Sequence, residues 1–413
     1  MLARAVRALV LDVSLVKYLA AKALGPRVRR AFYGPGTCFD VRDVPAPSRP
    51  ADDWLLLRPR LTGLCGSDVS AVFFKFSPAT SAFSIGPGER AVLGHEVLAD
   101  VVEVGPGARG AAKEGDRVVV DPFLGCAVRG EPPCPGCARG DDSVCTRIGT
   151  SRPRGISLGF CSAWPGGFGE RMVAHAAQVF RVPDALPDEA AVLAEPLSVA
   201  VHAVLRHPPR DGERVLVLGG GMIAFAVTWA LRELHPSLDV TLFTIEDWQK
   251  DAARAVGATA VWTARDGRLL DLAARATGAS VLRPPIGGAF LAGGFDRVFD
   301  CVGSHRSVSD SMRIAAGGAT IVLVGAPGVL PSLDWTFVWQ KELRVEGTSY
   351  YAHESWRGGR ARTFAATLEL MTTTRAPLAS LLTHRFGLED YARSLDATID
   401  RGAHRSVKVA LSP

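Results

Sequence analysis

Nowhere does this 413-residue chain hold an uncharged apolar stretch approaching the roughly 18 residues needed to cross a bilayer. Its opening, "MLARAVRALVLDVSLVKYLAAKALG", is interrupted by Asp12 and Lys17 and has no clean apolar core ahead of a small-residue cleavage site, which argues against a secretory leader. Lysine is scarce too. Only Lys17, Lys22, Lys75, Lys113, Lys250, Lys341 and Lys408 occur, so the net charge of +5 comes mostly from arginine. No long basic run stands out, which removes support for nucleic-acid binding. The resulting expectation is a cytoplasmic protein with neither nucleic acid nor membrane as partner. In that compartment eight cysteines point to metal binding rather than disulfides.

What is present is ordinary globular composition, and the length favours two or three domains. From about residue 30 to 200 the chain reads as short strands between Gly/Pro-rich loops, as in "WLLLRPRL", "VLADVVEVG" and "DRVVVDP". Near Arg214 the character changes. "RVLVL" is a strand, "GGGMIAFAVTWALREL" a glycine turn entering a helix, "DVTLFT" a second strand, and "EDWQKDAARAVGA" a helix ending at Gly257. "FDRVFDC" and "ATIVLVG" continue the alternation, which predicts a parallel sheet covered by helices. A mixed segment follows and ends in the strand-like "SVKVAL". The predicted division is 1–197, 198–347 and a return segment 348–413, with no internal repeat.

"VLVLGGGMIAFA" sets Gly219 and Gly221 directly after a strand, with Ala224 three residues on. Such a turn brings backbone close to a pyrophosphate that rests on a helix N-terminus, and Gly219, Gly221, Met222 and Ile223 are the expected cradle. The end of the second strand chooses the cofactor, because an acid there bonds the ribose 2′-hydroxyl of NAD. That position is Thr244, with Glu246 and Asp247 beyond it and no arginine beside it. The expected cofactor is NADP or NAD, with NADP favoured.

"GCAVRGEPPCPGCARGDDSVC" holds Cys126, Cys134, Cys137 and Cys145, in a lobe spanning about 122–147. Four thiolates with one C-x-x-C spacing make a closed structural zinc site. "LTGLCGSDVS" offers Cys65, "AVLGHEVLADVVEVG" offers His95 and Glu96, and "AVLAEPLSVAVHA" offers Glu195. All are good zinc ligands, but none is diagnostic alone.

In this order, "GLCGSD", "GHEVLADVVEVG", "GDRV", the four-cysteine lobe, "EPLSVAVHA" and the glycine turn resemble the zinc-dependent medium-chain alcohol dehydrogenases, in the polyol, sugar and threonine dehydrogenase branch. The resemblance implies an α/β architecture in which a GroES-like β-rich catalytic domain carries an inserted Rossmann domain. It implies two Zn2+ per chain, with Cys65, His95 and Glu96 holding the catalytic one and Glu195 either a direct ligand or one acting through water. It further implies hydride transfer between a nicotinamide and a secondary alcohol, polyol or sugar, or the matching ketone, with Ser67 taking the alcohol proton. A homodimer or homotetramer is implied as well. Asp68 is expected to orient the turn or the metal's surroundings.

Three departures stand out. Cys126 and Cys134 are farther apart than usual, Ser70 stands where some members have a relay histidine, and "FFKFSPATSAFSIGPGER" lengthens the gap before His95. Phe73, Phe74, Phe76 and Phe83 in that insertion are read equally as core or as an apolar substrate cleft. The second reading gives an alternative, an NADPH-using enzyme with a larger apolar substrate. A further alternative is a catalytically silent homologue, against which the intact ligand set argues.

Overall fold

The computed structural model describes residues 5–413, which divide into two compact units. The first contains residues up to Glu195, Tyr351–Thr372 and Leu382–Pro413; the second contains Pro196–Tyr350 and Thr373–Leu381. Residues 373–381 stay with the second unit for a local reason. The Thr374 hydroxyl donates to Glu233 and accepts from the Trp229 indole N–H at 3.0 Å.

The first unit is built on a seven-stranded, mostly antiparallel sheet. Its order is Leu382–Gly387, Lys408–Ser412, Trp54–Leu64, Glu96–Val104, Arg117–Val120 and Val179–Arg181, with Met172–His175 also paired to Trp54–Leu64. The strands are rich in Val and Leu, and inward residues such as Leu55, Leu57, Val97 and Val118 are fully buried. A second, three-stranded sheet sets Ala5–Asp12 between Phe39–Pro45 and Arg90–Val92. Its core joins Leu9, Leu11, Tyr33, Phe39 and Phe168 to Leu395 and Leu411 from the far end of the chain.

The second unit holds a six-stranded, all-parallel sheet in the order Ala260–Thr263, Val240–Thr244, Val215–Leu218, Phe295–Asp300, Ala315–Leu323 and Arg344–Gly347. Val215–Leu218 comes first in sequence and lies in the middle. Connections leave it in both directions, and the crevice at its carboxyl end is where such sheets bind ligands. The helix read from "EDWQKDAARAVGA" is shorter than expected. Asp247–Gln249 is a 3-10 turn and only Lys250–Ala255 is α-helical.

Candidate metal centres and nucleotide cradle

Cys65 follows the strand Trp54–Leu64 and caps the helix Gly66–Val72. The Asp68 carboxylate accepts the Cys65 backbone N–H at 2.9 Å while the Cys65 side chain faces the Asp68 backbone, a capping box that fixes the thiol's direction. The other oxygen of Asp68 lies 3.5 Å from His95 Nδ1, and both atoms are buried with no other partner among the described residues. With Nδ1 turned to the carboxylate, Nε2 is the lone pair available to a metal, and the Ser67 hydroxyl lies 3.4 Å from it. Ligand atoms of Cys65, His95 and Glu96 fall within 4.8 Å of one another. Thiol, imidazole and carboxylate at that spacing fit zinc with an open position. The pocket also favours positive charge. Burial opposes it on His95, yet Asp68 and Cys65 outweigh burial and raise the imidazole's pKa well above its ordinary value.

Glu195 stands outside that trio but beside it. It sits in the first turn of the helix Ala194–Arg206, buried, and its Oε1 accepts the Tyr351 hydroxyl. Burial pushes its carboxyl up to about 8; Glu96 adds to the shift, while His95 and Lys408 oppose it.

Lys408 escaped sequence reasoning. Its ammonium pairs with Glu96 Oε2 and donates to the Leu64 carbonyl at 3.3 Å. The two side chains are 4% and 1% exposed, so each depends on the other for its charge. Gly63 makes room for them, since a Cβ there would lie 2.0 Å from Glu96 Oε2 and 2.8 Å from Lys408 Cε. The only sequence signal was a lone lysine in an apolar strand, which ordinarily reads as the solvent-facing side.

The aromatic insertion divides in two. Phe73 and Phe74 pack against Phe32 and Tyr18 and belong to the core, and Phe83 is half-buried. Phe76 instead meets Phe160 edge-on at 6.0 Å, and Phe160 tilts over His95 at 5.5 Å. That pair forms an apolar wall beside the ligand trio.

The four lobe cysteines also gather their sulfurs within 4.8 Å, and all eight cysteines of the chain are free thiols. The long gap closes through a 3-10 turn at Ala127–Arg129, which returns the Cys134 N–H to 3.4 Å from Cys126 Sγ. Burial raises the Cys134 thiol, but hydrogen bonds from Cys137 and Thr146 outweigh it and bring it to about 5. Burial and Cys126 push Cys145 up to about 11. Four thiols this close cannot all ionise unless a cation sits among them, which is the donor chemistry of structural zinc. The lobe is tied to the return segment through Arg362, which binds Asp121 at 2.7 Å and also Asp142, while His353 meets Asp142 at 2.9 Å.

In the second unit Gly219 has φ +134°, a conformation only glycine adopts easily, and Gly221 precedes the helix Met222–Leu234. Met222 is buried and Ile223 half-buried in its first turn. Thr244 is buried, its hydroxyl donating to Gln249 Oε1, while Gln249 Nε2 donates to the Gly220 carbonyl at 2.6 Å. Glu246 is exposed. Asp247 is held by Thr263, Lys250 and Arg265, the last at 3.3 Å from the turn after the neighbouring strand.

Two family models match the chain, the alcohol dehydrogenase GroES-like domain over residues 51–184 and the zinc-binding dehydrogenase over 235–366. The chain belongs to the zinc-dependent medium-chain alcohol dehydrogenase family. This dehydrogenase is 28% identical over 376 residues to L-threonine 3-dehydrogenase of Aeromonas salmonicida (strain A449), covering 90% of this chain and 95% of that one. It is 27% identical over 340 residues to (R,R)-butanediol dehydrogenase of Saccharomyces cerevisiae, covering 78% and 83%. Among solved structures, a protein of Sinorhizobium meliloti 1021 described by similarity as a zinc-binding dehydrogenase and bound to NADP matches at TM-score 0.72 and 25% identity, over 99% of this chain and 100% of that one. The chain is therefore an oxidoreductase with the GroES-like and Rossmann-type domains of its family.

Proposed function

We propose that this dehydrogenase interconverts a secondary alcohol and its ketone at the Cys65–His95–Glu96 centre, with NADP or NAD as hydride partner. The observation that carries the reading is the three-ligand cluster with Ser67 beside it, in a chain whose relatives include threonine and butanediol dehydrogenases. When bound, zinc supplies the Lewis acidity that lowers an alcohol's pKa from about 16 towards 7, and the nicotinamide accepts or returns the hydride. The residues do the rest. Asp68 fixes the His95 ring, and Lys408 balances the Glu96 charge. Glu195, held by Tyr351, adjusts the charge of the site from its edge. Ser67 Oγ takes the alcohol proton and, being half-buried, passes it to water, since Ser70 offers no imidazole.

The experiment that tests this is steady-state turnover of a panel of polyols and secondary alcohols, and of their ketones, with each cofactor. Turnover of at least one alcohol–ketone pair, dependent on zinc, is the expected result. No turnover by a zinc-loaded, cofactor-binding protein would favour a silent homologue.

The Phe76–Phe160 wall favours a second reading, in which the carbinol carries a larger apolar group. Under it, alkyl- or aryl-substituted alcohols outperform polyols, and Phe76→Ala lowers kcat/KM for them by about tenfold, the worth of one buried aromatic contact, while leaving small alcohols unchanged. Equal losses on both substrate classes would remove Phe76 from substrate contact.

The cofactor preference rests on the end of the strand Val240–Thr244. Thr244 puts no negative charge there, its hydroxyl being taken up by Gln249, Arg265 and Lys250 lie close, and the Asp247 carboxylate is already paired. NADP is expected to serve at least as well as NAD. Thr244→Asp should shift the ratio of kcat/KM towards NAD by about tenfold, about 1.4 kcal/mol. A wild type that strongly prefers NAD would show Glu246 reaching the ribose instead.

A further inference from the structure

The helix Leu15–Leu24 is turned outward. Only Ala21 is buried, while Tyr18 packs edge-on against Phe74 at 4.9 Å and Lys22 Nζ donates to the Phe74 carbonyl at 3.3 Å. These contacts hold one side of the helix to the first unit. The opposite side is apolar and faces solvent. Leu15, Val16, Leu19 and Leu24 are 66%, 79%, 55% and 58% exposed, with Ala20 and Ala23 between them and Val28 just beyond at 54%. Residues spaced i, i+4 and i+8 normally mark the face that a helix buries. Here that face has no partner among the described residues.

Charge decides what covers it. Residues 13–39 include Lys17, Lys22, Arg27, Arg29 and Arg30 and not one acid. The rest of the chain is balanced, with 42 basic and 42 acidic residues, so the whole net charge of +5 belongs to this segment. Lys17, Arg29 and Arg30 pair with Asp12, Asp400 and Asp396. Lys22 and Arg27 have no carboxylate partner among the described residues. A second copy seated symmetrically on this face would bring two acid-free basic segments together, at a cost in repulsion. A surface that is apolar beneath a layer of negative charge suits both properties of the helix. At ten residues the helix is too short to span a bilayer, and among the described residues no helix is long and apolar enough to do so.

We propose that Leu15–Leu24 docks this enzyme in the plane of an anionic lipid surface, its Leu/Val face in the acyl boundary and Lys22 and Arg27 among the headgroups. This revises the expectation that a membrane plays no part, and it is independent of the reading of the catalytic site.

The test is flotation of the full-length protein with phosphatidylcholine vesicles, with and without phosphatidylglycerol. Binding is expected only with phosphatidylglycerol and should weaken between about 0.1 and 0.5 M salt as the charges are screened. Leu15→Glu/Leu19→Glu should lower the bound fraction at least about tenfold while turnover in solution is unchanged. Lys22→Glu/Arg27→Glu, which keeps the apolar face, should do the same. Absence of flotation, or flotation indifferent to both double variants, overturns the proposal. So does a light-scattering mass that falls in Leu15→Glu/Leu19→Glu without any lipid binding by the wild type, since a second copy would then be the occupant.

Discussion

Cys65→Ser is expected to lower zinc from about two ions per chain to about one, and to cut turnover at least a thousandfold, about 4 kcal/mol of transition-state stabilisation. The reason is positional. Cys65 is the only sulfur in the three-ligand cluster, and its direction is set by the capping box with Asp68. The lobe thiols lie in a separate cluster and should keep their ion, so elemental analysis beside steady-state rates separates the two sites. Cys134→Ser should reverse the pattern, emptying the lobe and lowering stability. Unchanged turnover in Cys65→Ser, or a folded and active protein free of zinc, would sink the mechanism.

Lys408→Met is expected to destabilise the first unit by about 3 kcal/mol, because it leaves the Glu96 carboxylate buried without its cation. The double variant Glu96→Gln/Lys408→Met removes both charges and should recover most of that loss, though not the activity. Urea unfolding of the metal-free proteins gives the comparison. If single and double variants unfold together, Lys408 stabilises by packing rather than by charge. Lys408→Arg tests the same point from another side. The space opened by Gly63 is fitted to a slim ammonium, so guanidinium should rescue stability only in part.

Much of this site was legible because its chemistry is local. Cys65, Ser67 and Asp68 share one turn, His95 and Glu96 are adjacent, and the lobe cysteines lie within twenty residues. Motif spacing carries such information directly. Lys408, Tyr351 and Arg362 were not legible, because each acts on a residue more than 150 positions away and only the tertiary fold brings them together. Gln249 and Arg265 were missed for a related reason. Sequence shows only the residues adjacent to the strand end, while the fold supplies neighbours from the following turns. The helix Leu15–Leu24 defeats periodicity in another way. Its apolar stripe is regular, but the pattern alone does not say which way the stripe faces.

The strand Lys408–Ser412 lies between Leu382–Gly387 and Trp54–Leu64, in the body of its sheet although it comes last in sequence among the described strands. During synthesis this reverses the order of completion. Every strand of the six-stranded sheet has been synthesised by residue 347, so that sheet is able to form first. The first unit must wait for Lys408–Ser412, with Thr62–Leu64 unpaired on one edge and Glu96 lacking its cation. A nascent chain in that state presents an unpaired strand edge to its neighbours, the condition under which aggregation competes with folding. A chain cut short after residue 407 would prolong that exposure indefinitely.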